Sequence, residues 1–238
     1  MGGRSPTVME CRAPNPTVRV AVAPGADRTD WRGDRSGGRA ALGMSRGRVI
    51  ENPRSGERIV LLQTGADTNG RLLEFELFLA PGGRVPSGHV HPEQEERFTV
   101  LEGLMRFRLG GRAIQLKTGQ SVTVRRGVPH VFANAGPAPA RLRVEVRPAL
   151  NMEVLLEAAA ALSAPRNGMP LGLPRPLDLA LFLREFEKEV AVPFLPRVMV
   201  RLVTRALAGL ASRSGLDAHY RALRAASTDA GEGNIGRS

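Results

Sequence analysis

Three of the four histidines in this 238-residue chain fall where they can build one site. His89 and His91 stand two apart within residues 83–103, GRVPSGHVHPEQEERFTVLEG. On an extended strand that spacing puts both imidazoles on one face, because side chains alternate with a period of two. Glu96 follows a short polar turn and, on the returning strand, shares a face with Phe98 and Val100. His130 lies in residues 119–134, GQSVTVRRGVPHVFAN, on one face with Phe132 and Asn134. Two imidazoles and a carboxylate from one hairpin, with an imidazole from another, make a three-nitrogen, one-oxygen shell with positions left for water or substrate. Iron, manganese, nickel, zinc and copper all accept these donors, so the cofactor is a divalent transition metal whose identity the residues leave open. Singly, each has a plainer reading, a satisfied histidine or a solvated acidic turn at Glu93, Glu95 and Glu96. Jointly, the four ligand types at these spacings favour the metal.

The two stretches resemble the paired motifs of the cupin superfamily, in its small single-barrel form. The first motif is met in full: Gly83, five residues, His89, one residue, His91, four residues, Glu96, six residues, Gly103. The second departs at one place, where Arg125 stands at the usual proline two residues before Gly127, followed by His130 and Asn134. The departure concerns a turn residue and leaves the ligands intact. The resemblance implies a mainly β fold, a double-stranded β-helix or jelly-roll barrel, with a metal bound by His89, His91, Glu96 and His130. Its inner face would carry Phe75, Phe98, Phe107 and Phe132 as walls of a substrate pocket, or simply as core.

The elements that must position these residues are legible as alternation. Residues 49–50, 58–62, 72–79, 104–109, 112–116, 121–124, 130–133 and 141–146 read as strands beside those of the motifs. Turn signals at Asn52-Pro53, Asn69-Gly70, Pro81-Gly82-Gly83 and Gly110-Gly111 separate them. Many short strands without intervening helices suit an antiparallel sandwich or barrel. After Pro148 the period becomes helical. Asn151 suits an N-cap for a helix carrying Met152, Leu155, Leu156, Ala159 and Leu162, and a second helix from Pro176 runs as far as Val190. Pro193 and Pro196 break it before a third, with Met199, Leu202, Val203, Ala206, Leu207 and Leu210 on one side and Arg197, Arg201 and Arg205 on the other. That apolar side is expected to pack on its own protein. The division is a disordered extension over 1–45, the barrel over 46–149, a helical extension over 150–223 with residues 165–174 as linker or lid, and a frayed tail over 224–238. Met44 is an alternative start of translation.

A formal charge of +11 raises nucleic acid or an acidic membrane as partners. The arginines are scattered without a dense patch, so both are set aside and a small-molecule ligand is expected. The resemblance implies a homodimer, for which the apolar stripes at Phe182, Phe186, Leu202 and Leu207 would supply a surface. A single cysteine, Cys11, excludes an intramolecular disulfide, and no apolar run serves as signal or membrane span, which gives a cytoplasmic expectation. No serine or cysteine nucleophile stands beside a motif histidine, so chemistry would run through the metal. The leading function is binding or transformation of a small oxygen-bearing apolar molecule, dioxygenase-like or isomerase-like. The alternative is a non-catalytic sensing module, and a weaker one a peripheral membrane protein held by the basic third helix.

Overall fold

The alternating runs become ten strands in a computed structural model that describes residues 18–22, 47–52, 54–85, 88–163, 176–193 and 197–211, with backbone placement alone at 18–22, 197, 201, 205 and 208–211. In chain order these are β1 (Val18–Val22), β2 (Val49–Asn52), β3 (Glu57–Gln63), β4 (Leu73–Leu79), β5 (Glu95–Glu102), β6 (Leu104–Leu109), β7 (Arg112–Lys117), β8 (Gln120–Val124), β9 (His130–Asn134) and β10 (Ala140–Arg147). A seven-stranded sheet runs β1-β8-β5-β10-β4-β3-β2, and a three-stranded sheet runs β7-β6-β9. Every pairing is antiparallel. Phe98 of the larger sheet meets Phe107 and Phe132 of the smaller, with ring centroids 5.3 and 5.1 Å apart, so the inward faces of the two sheets share one core. This is the expected jelly-roll barrel.

Alternation decides which side chains face that core. In β4, Leu73, Phe75, Leu77 and Leu79 are buried, and Glu74 and Glu76 pair on the outer face with Arg143 and Arg141 of β10, at 3.3 and 2.8 Å. The Gly110-Gly111 hairpin takes positive φ at both residues, 54° and 90°, as a two-residue turn between twisted strands requires. Two glycines of the first motif are demanded sterically. A Cβ at Gly83 would lie 2.8 Å from the Ala80 carbonyl, and Gly103 combines φ of 91° with only 3.0 Å to Ala140. Arg125, at the usual proline, does not spoil its turn: Val128 N–H donates to the Arg125 carbonyl and Gly127 N–H to that of His91, at 3.2 and 2.8 Å.

Three helices follow the barrel: α1 (Met152–Leu162), α2 (Pro176–Glu185) and α3 (Arg197–Ala211). Several expectations need correction here. Residues 18–22, placed above in a disordered extension, form β1 on the open edge of β8, where unpaired backbone groups accept a short β-prone run, VRVAV. The rest of residues 1–45, Cys11 and Met44 included, the linker at 165–174 and the tail at 224–238 lie outside the described residues. Asn151 occupies the N-cap of α1 but makes no side-chain capping bond. Helix α2 stops at Glu185 rather than continuing to Val190, because residues 186–189 turn so that Ala191 can bridge to Val90. The apolar side of α3 is not covered as expected. Thr204 is buried where α3 packs on α2, whereas Met199, Leu202 and Val203 are exposed, as is Val198. The side chains of Arg197, Arg201 and Arg205 lie outside the described residues. Among the described residues no helix is long and apolar enough to cross a membrane.

Asn134, the last residue of the second motif, works as a latch. Its buried side-chain amide donates to the carbonyls of Leu79, Ala80 and Ala138, and its oxygen accepts from Gly136 N–H at 2.9 Å. Replacing Asn134 by Ala strands those carbonyls and should lower stability by about 1–3 kcal/mol. Chemical denaturation would show that loss, while metal content per folded molecule stays that of the parent.

Candidate metal centre and its cavity

His89 and His91 are held less by a strand than by two single bridges. His89 pairs with His130 through reciprocal backbone bonds of 3.0 and 2.9 Å, and Val90 pairs with Ala191 through bonds of 3.0 and 2.8 Å. The alternation inferred from the sequence survives, and both rings point inward. Glu96 projects from the start of β5 and His130 from the start of β9. One ligand atom from each of His89, His91, Glu96 and His130 lies within 4.8 Å of all the others. The three rings stand around a common point with centroids 4.3 to 5.2 Å apart.

Hydrogen bonding fixes which nitrogen of two rings faces that point. His91 Nδ1 contacts the Glu189 carbonyl and His130 Nδ1 the Val128 carbonyl, the latter at 3.1 Å. A carbonyl only accepts, so each Nδ1 carries the hydrogen and each Nε2 lone pair is turned to the centre. There Glu96 Oε2 sits 2.9 Å from His130 Nε2 and 3.3 Å from His91 Nε2. His91 Nε2 is buried without a hydrogen-bond partner among the described residues. Two lone pairs and a carboxylate at such separations repel unless positive charge lies between them. That orphaned nitrogen and this donor set fit a divalent transition metal, whose bonds to nitrogen and oxygen are about 2 Å long.

Without a metal, a proton on His91 supplies that positive charge. Burial disfavours the charged form of Glu96, but the charge of His91 and the contact with His130 outweigh it and hold the carboxyl well below its ordinary 4.5. Burial likewise favours neutral His91, yet the Glu96 charge and the Glu189 carbonyl raise it above its ordinary 6.5.

The cluster opens onto a cavity of about 240 Å³. His89, His91 and Glu96 line one part, and Phe75, Leu77, Phe98 and Phe132 form barrel walls. Of the four phenylalanines named as pocket candidates, Phe107 is not in the lining. It is fully buried against Phe98 and Phe132, on the middle strand of the smaller sheet between β7 and β9. The remaining wall comes from the helices, through Met152, Leu155, Leu156 and Ala159 of α1, Leu179 and Phe182 of α2, and Val190.

The segment at 186–191 was not anticipated from the sequence. Besides capping His91, buried Glu189 accepts Asn151 N–H on Oε1 at 3.1 Å, at the N-terminus of α1, where a carboxylate is favoured. The available signal was a carboxylate on the apolar side of its own stretch, three residues after Phe186 and one before Val190. Gln94 was also missed. Fully buried, it donates to the carbonyls of Pro148 and Ala149 and so ties the ligand hairpin to the start of the helices.

The fold and this four-residue cluster define a double-stranded β-helix with a candidate metal centre at one end of its barrel. Residues 75–147 match the Cupin domain family, so this stretch of the chain is a cupin domain. A tetracenomycin polyketide synthase protein, TcmJ, of Streptomyces glaucescens is 33% identical over 81 residues, 34% of this chain and 52% of that protein. The matched stretch thus spans about half of that relative's length. Among solved structures, a predicted oxalate decarboxylase of Thermotoga maritima is 22% identical, covering 43% of this chain and 91% of that one with a TM-score of 0.39. A conserved protein with a double-stranded β-helix domain from Klebsiella pneumoniae is also 22% identical, covering 42% and 84% with a TM-score of 0.37.

The pH dependence of the metal-free protein follows from the two shifts. Glu96, depressed, contributes stability above its ordinary 4.5 that is lost as pH falls through its folded value. His91, raised, contributes stability below its ordinary 6.5 that is lost as pH rises through its folded value. The cluster's contribution is therefore greatest between pH 4.5 and 6.5. Metal competes with the proton on His91, so affinity for zinc should rise with pH across the same titration. Thermal melts with and without zinc, from acid to mildly alkaline pH, would test both signs.

Proposed function

We propose that the chain is a metal-dependent cupin that binds and transforms a small, oxygen-bearing, largely apolar molecule. One observation carries this reading: a buried three-histidine, one-carboxylate cluster opens directly onto an apolar cavity. His89, His91, Glu96 and His130 would hold the metal, which supplies a Lewis acid for a substrate oxygen and, if iron or manganese, a redox centre. The chain's own residues do the rest. The Val128 and Glu189 carbonyls orient His130 and His91, while Phe75, Phe98 and Phe132 hold an apolar skeleton and keep water from the reacting oxygen. The likeness to a tetracenomycin polyketide synthase protein supports a polyketide-like substrate, which combines those two properties. The reaction we favour is dioxygenase-like or isomerase-like, in the cytoplasm.

A second reading, ligand sensing without turnover, is favoured by one feature. The turn that follows α2, one of the helices covering the cavity, also holds a ligand histidine through Glu189, so occupancy can be passed to the C-terminal part of the chain. Turnover separates the two. Protein purified with its native metal should carry about one transition-metal ion per chain by elemental analysis. Glu96→Gln and His130→Ala should lose most of it with the barrel still folded by circular dichroism. If the parent holds no stoichiometric metal and both variants match it, the metal-dependent reading fails.

We also propose a homodimer, supported by the exposed Val198, Met199, Leu202 and Val203 on α3. Light scattering at micromolar concentration should give twice the chain mass of 25.6 kDa, and a monomer would reject the dimer.

A further inference from the structure

The cavity has a second polar corner, far from the histidines. On β2, Ile50 and Asn52 face inward, and on β3, Ile59 and Glu57 stand opposite them in register. Alternation calls for apolar residues at all four positions, yet the sequence places an amide and a carboxyl side by side against an otherwise apolar space. In the sheet register, Glu57 lies opposite Leu79, at one end of β4. Glu96 lies opposite Val146 and through it Leu73, at the other end. The two polar groups therefore mark different ends of one cavity.

Closing the hairpin accounts for part of this corner. Ser55 Oγ contacts the Asn52 carbonyl at 3.2 Å and the Glu57 carboxyl, and Asn52 Nδ2 donates weakly to Glu57 Oε2 at 3.4 Å. It does not account for Asn52 Oδ1, which is buried without a partner among the described residues on a side chain only 8% exposed. An orphaned acceptor in an apolar space costs about 1–3 kcal/mol unless something donates to it. Beside it, burial raises the Glu57 carboxyl above its ordinary 4.5 against the opposing bonds from Ser55 and Asn52. Burial thus favours the neutral form of this carboxyl, the form that can donate as well as accept. An acceptor and a donor side by side match a group that both gives and takes a hydrogen bond and carries no charge.

We propose that Asn52 and Glu57 form a hydroxyl-binding subsite, so that the molecule bound by this cavity carries a neutral hydroxyl at the end remote from the histidine cluster. The inference rests on the reading of the cavity as a small-molecule site and adds a requirement to it. The hydroxyl donates to Asn52 Oδ1 and accepts from Glu57. A ligand lacking it leaves the amide oxygen unpaired, and the subsite thereby discriminates between otherwise similar apolar skeletons.

The test uses the full-length, metal-loaded protein and three probes with one skeleton: 2-naphthol, 2,6-dihydroxynaphthalene, and 6-aminomethyl-2-naphthol, a cation at neutral pH. Titration calorimetry should find the diol binding about tenfold tighter than 2-naphthol and the cation no tighter than 2-naphthol. In Asn52→Leu the ratio of diol to 2-naphthol affinities should fall to about one, and in Glu57→Met, which keeps length and removes the hydrogen-bonding end, it should fall severalfold, whereas Glu57→Gln, which keeps a donor and an acceptor, should hold the parent ratio. The second variant decides the matter should the first fail to fold. Metal stoichiometry reports on the opposite end in every sample. If diol and 2-naphthol bind equally to the parent, or if the cation binds tightest, the hydroxyl subsite is wrong while the cavity reading stands. If no probe binds a protein with its full metal content, the cavity reading falls and takes the subsite with it.

Discussion

The repulsion that must be relieved among two imidazole lone pairs and one carboxylate, all buried at one end of the barrel, is the constraint on which the rest of the structure depends. His91 and His130 cannot turn their lone pairs away, because the Glu189 and Val128 carbonyls hold each ring by its other nitrogen. Glu96 cannot withdraw into water, because β5 lies in the middle of the larger sheet, between β8 and β10. In an interior of low polarity such an arrangement is tolerable only with positive charge at its focus. A site of this kind stores its specificity in the scaffold, since the ligands are already oriented before the ion arrives.

The barrel meets that demand by joining distant pieces of chain. The bridge between His89 and His130 brings the ligand hairpin against β9, and Gln94 secures its far end to the carbonyls before α1. The helices then complete what the barrel leaves open. Residues of α1 and α2 replace solvent over the cavity, and the turn at 186–191 returns to the rim as an extra backbone bridge. The cavity belongs to barrel and helices together, although 75–147 alone match the Cupin domain family.

Much of this was legible in the sequence because the information is local. Alternation in LEFELFL or LMRFRL fixes strand and buried face at once, and HVH followed by Glu96 places three donors by spacing alone. What was not legible depends on tertiary context. The VRVAV run at β1 is β-prone, but five residues do not make a strand alone, and its pairing requires the free edge of β8. Phe107 and Phe98 have the same pattern in sequence, and only their tertiary placement puts Phe98 on the cavity wall and Phe107 behind it. The exposed side of α3 looks on a helical wheel like a packing face, and the wheel does not say what lies opposite. Glu189 is the hardest case, because its carbonyl carries the contact with His91 and backbone groups leave no trace in residue type.

That contact spans 98 positions of chain. All four candidate ligands have been synthesised once His130 is made, well before the ribosome reaches Glu189. The chain therefore has all four ligands before it has the carbonyl that aims the His91 ring, and that orientation waits for the turn at 186–191 to reach the rim. The order of the chain thus places the chemical groups of the pocket first and the backbone bond that aims one of them last.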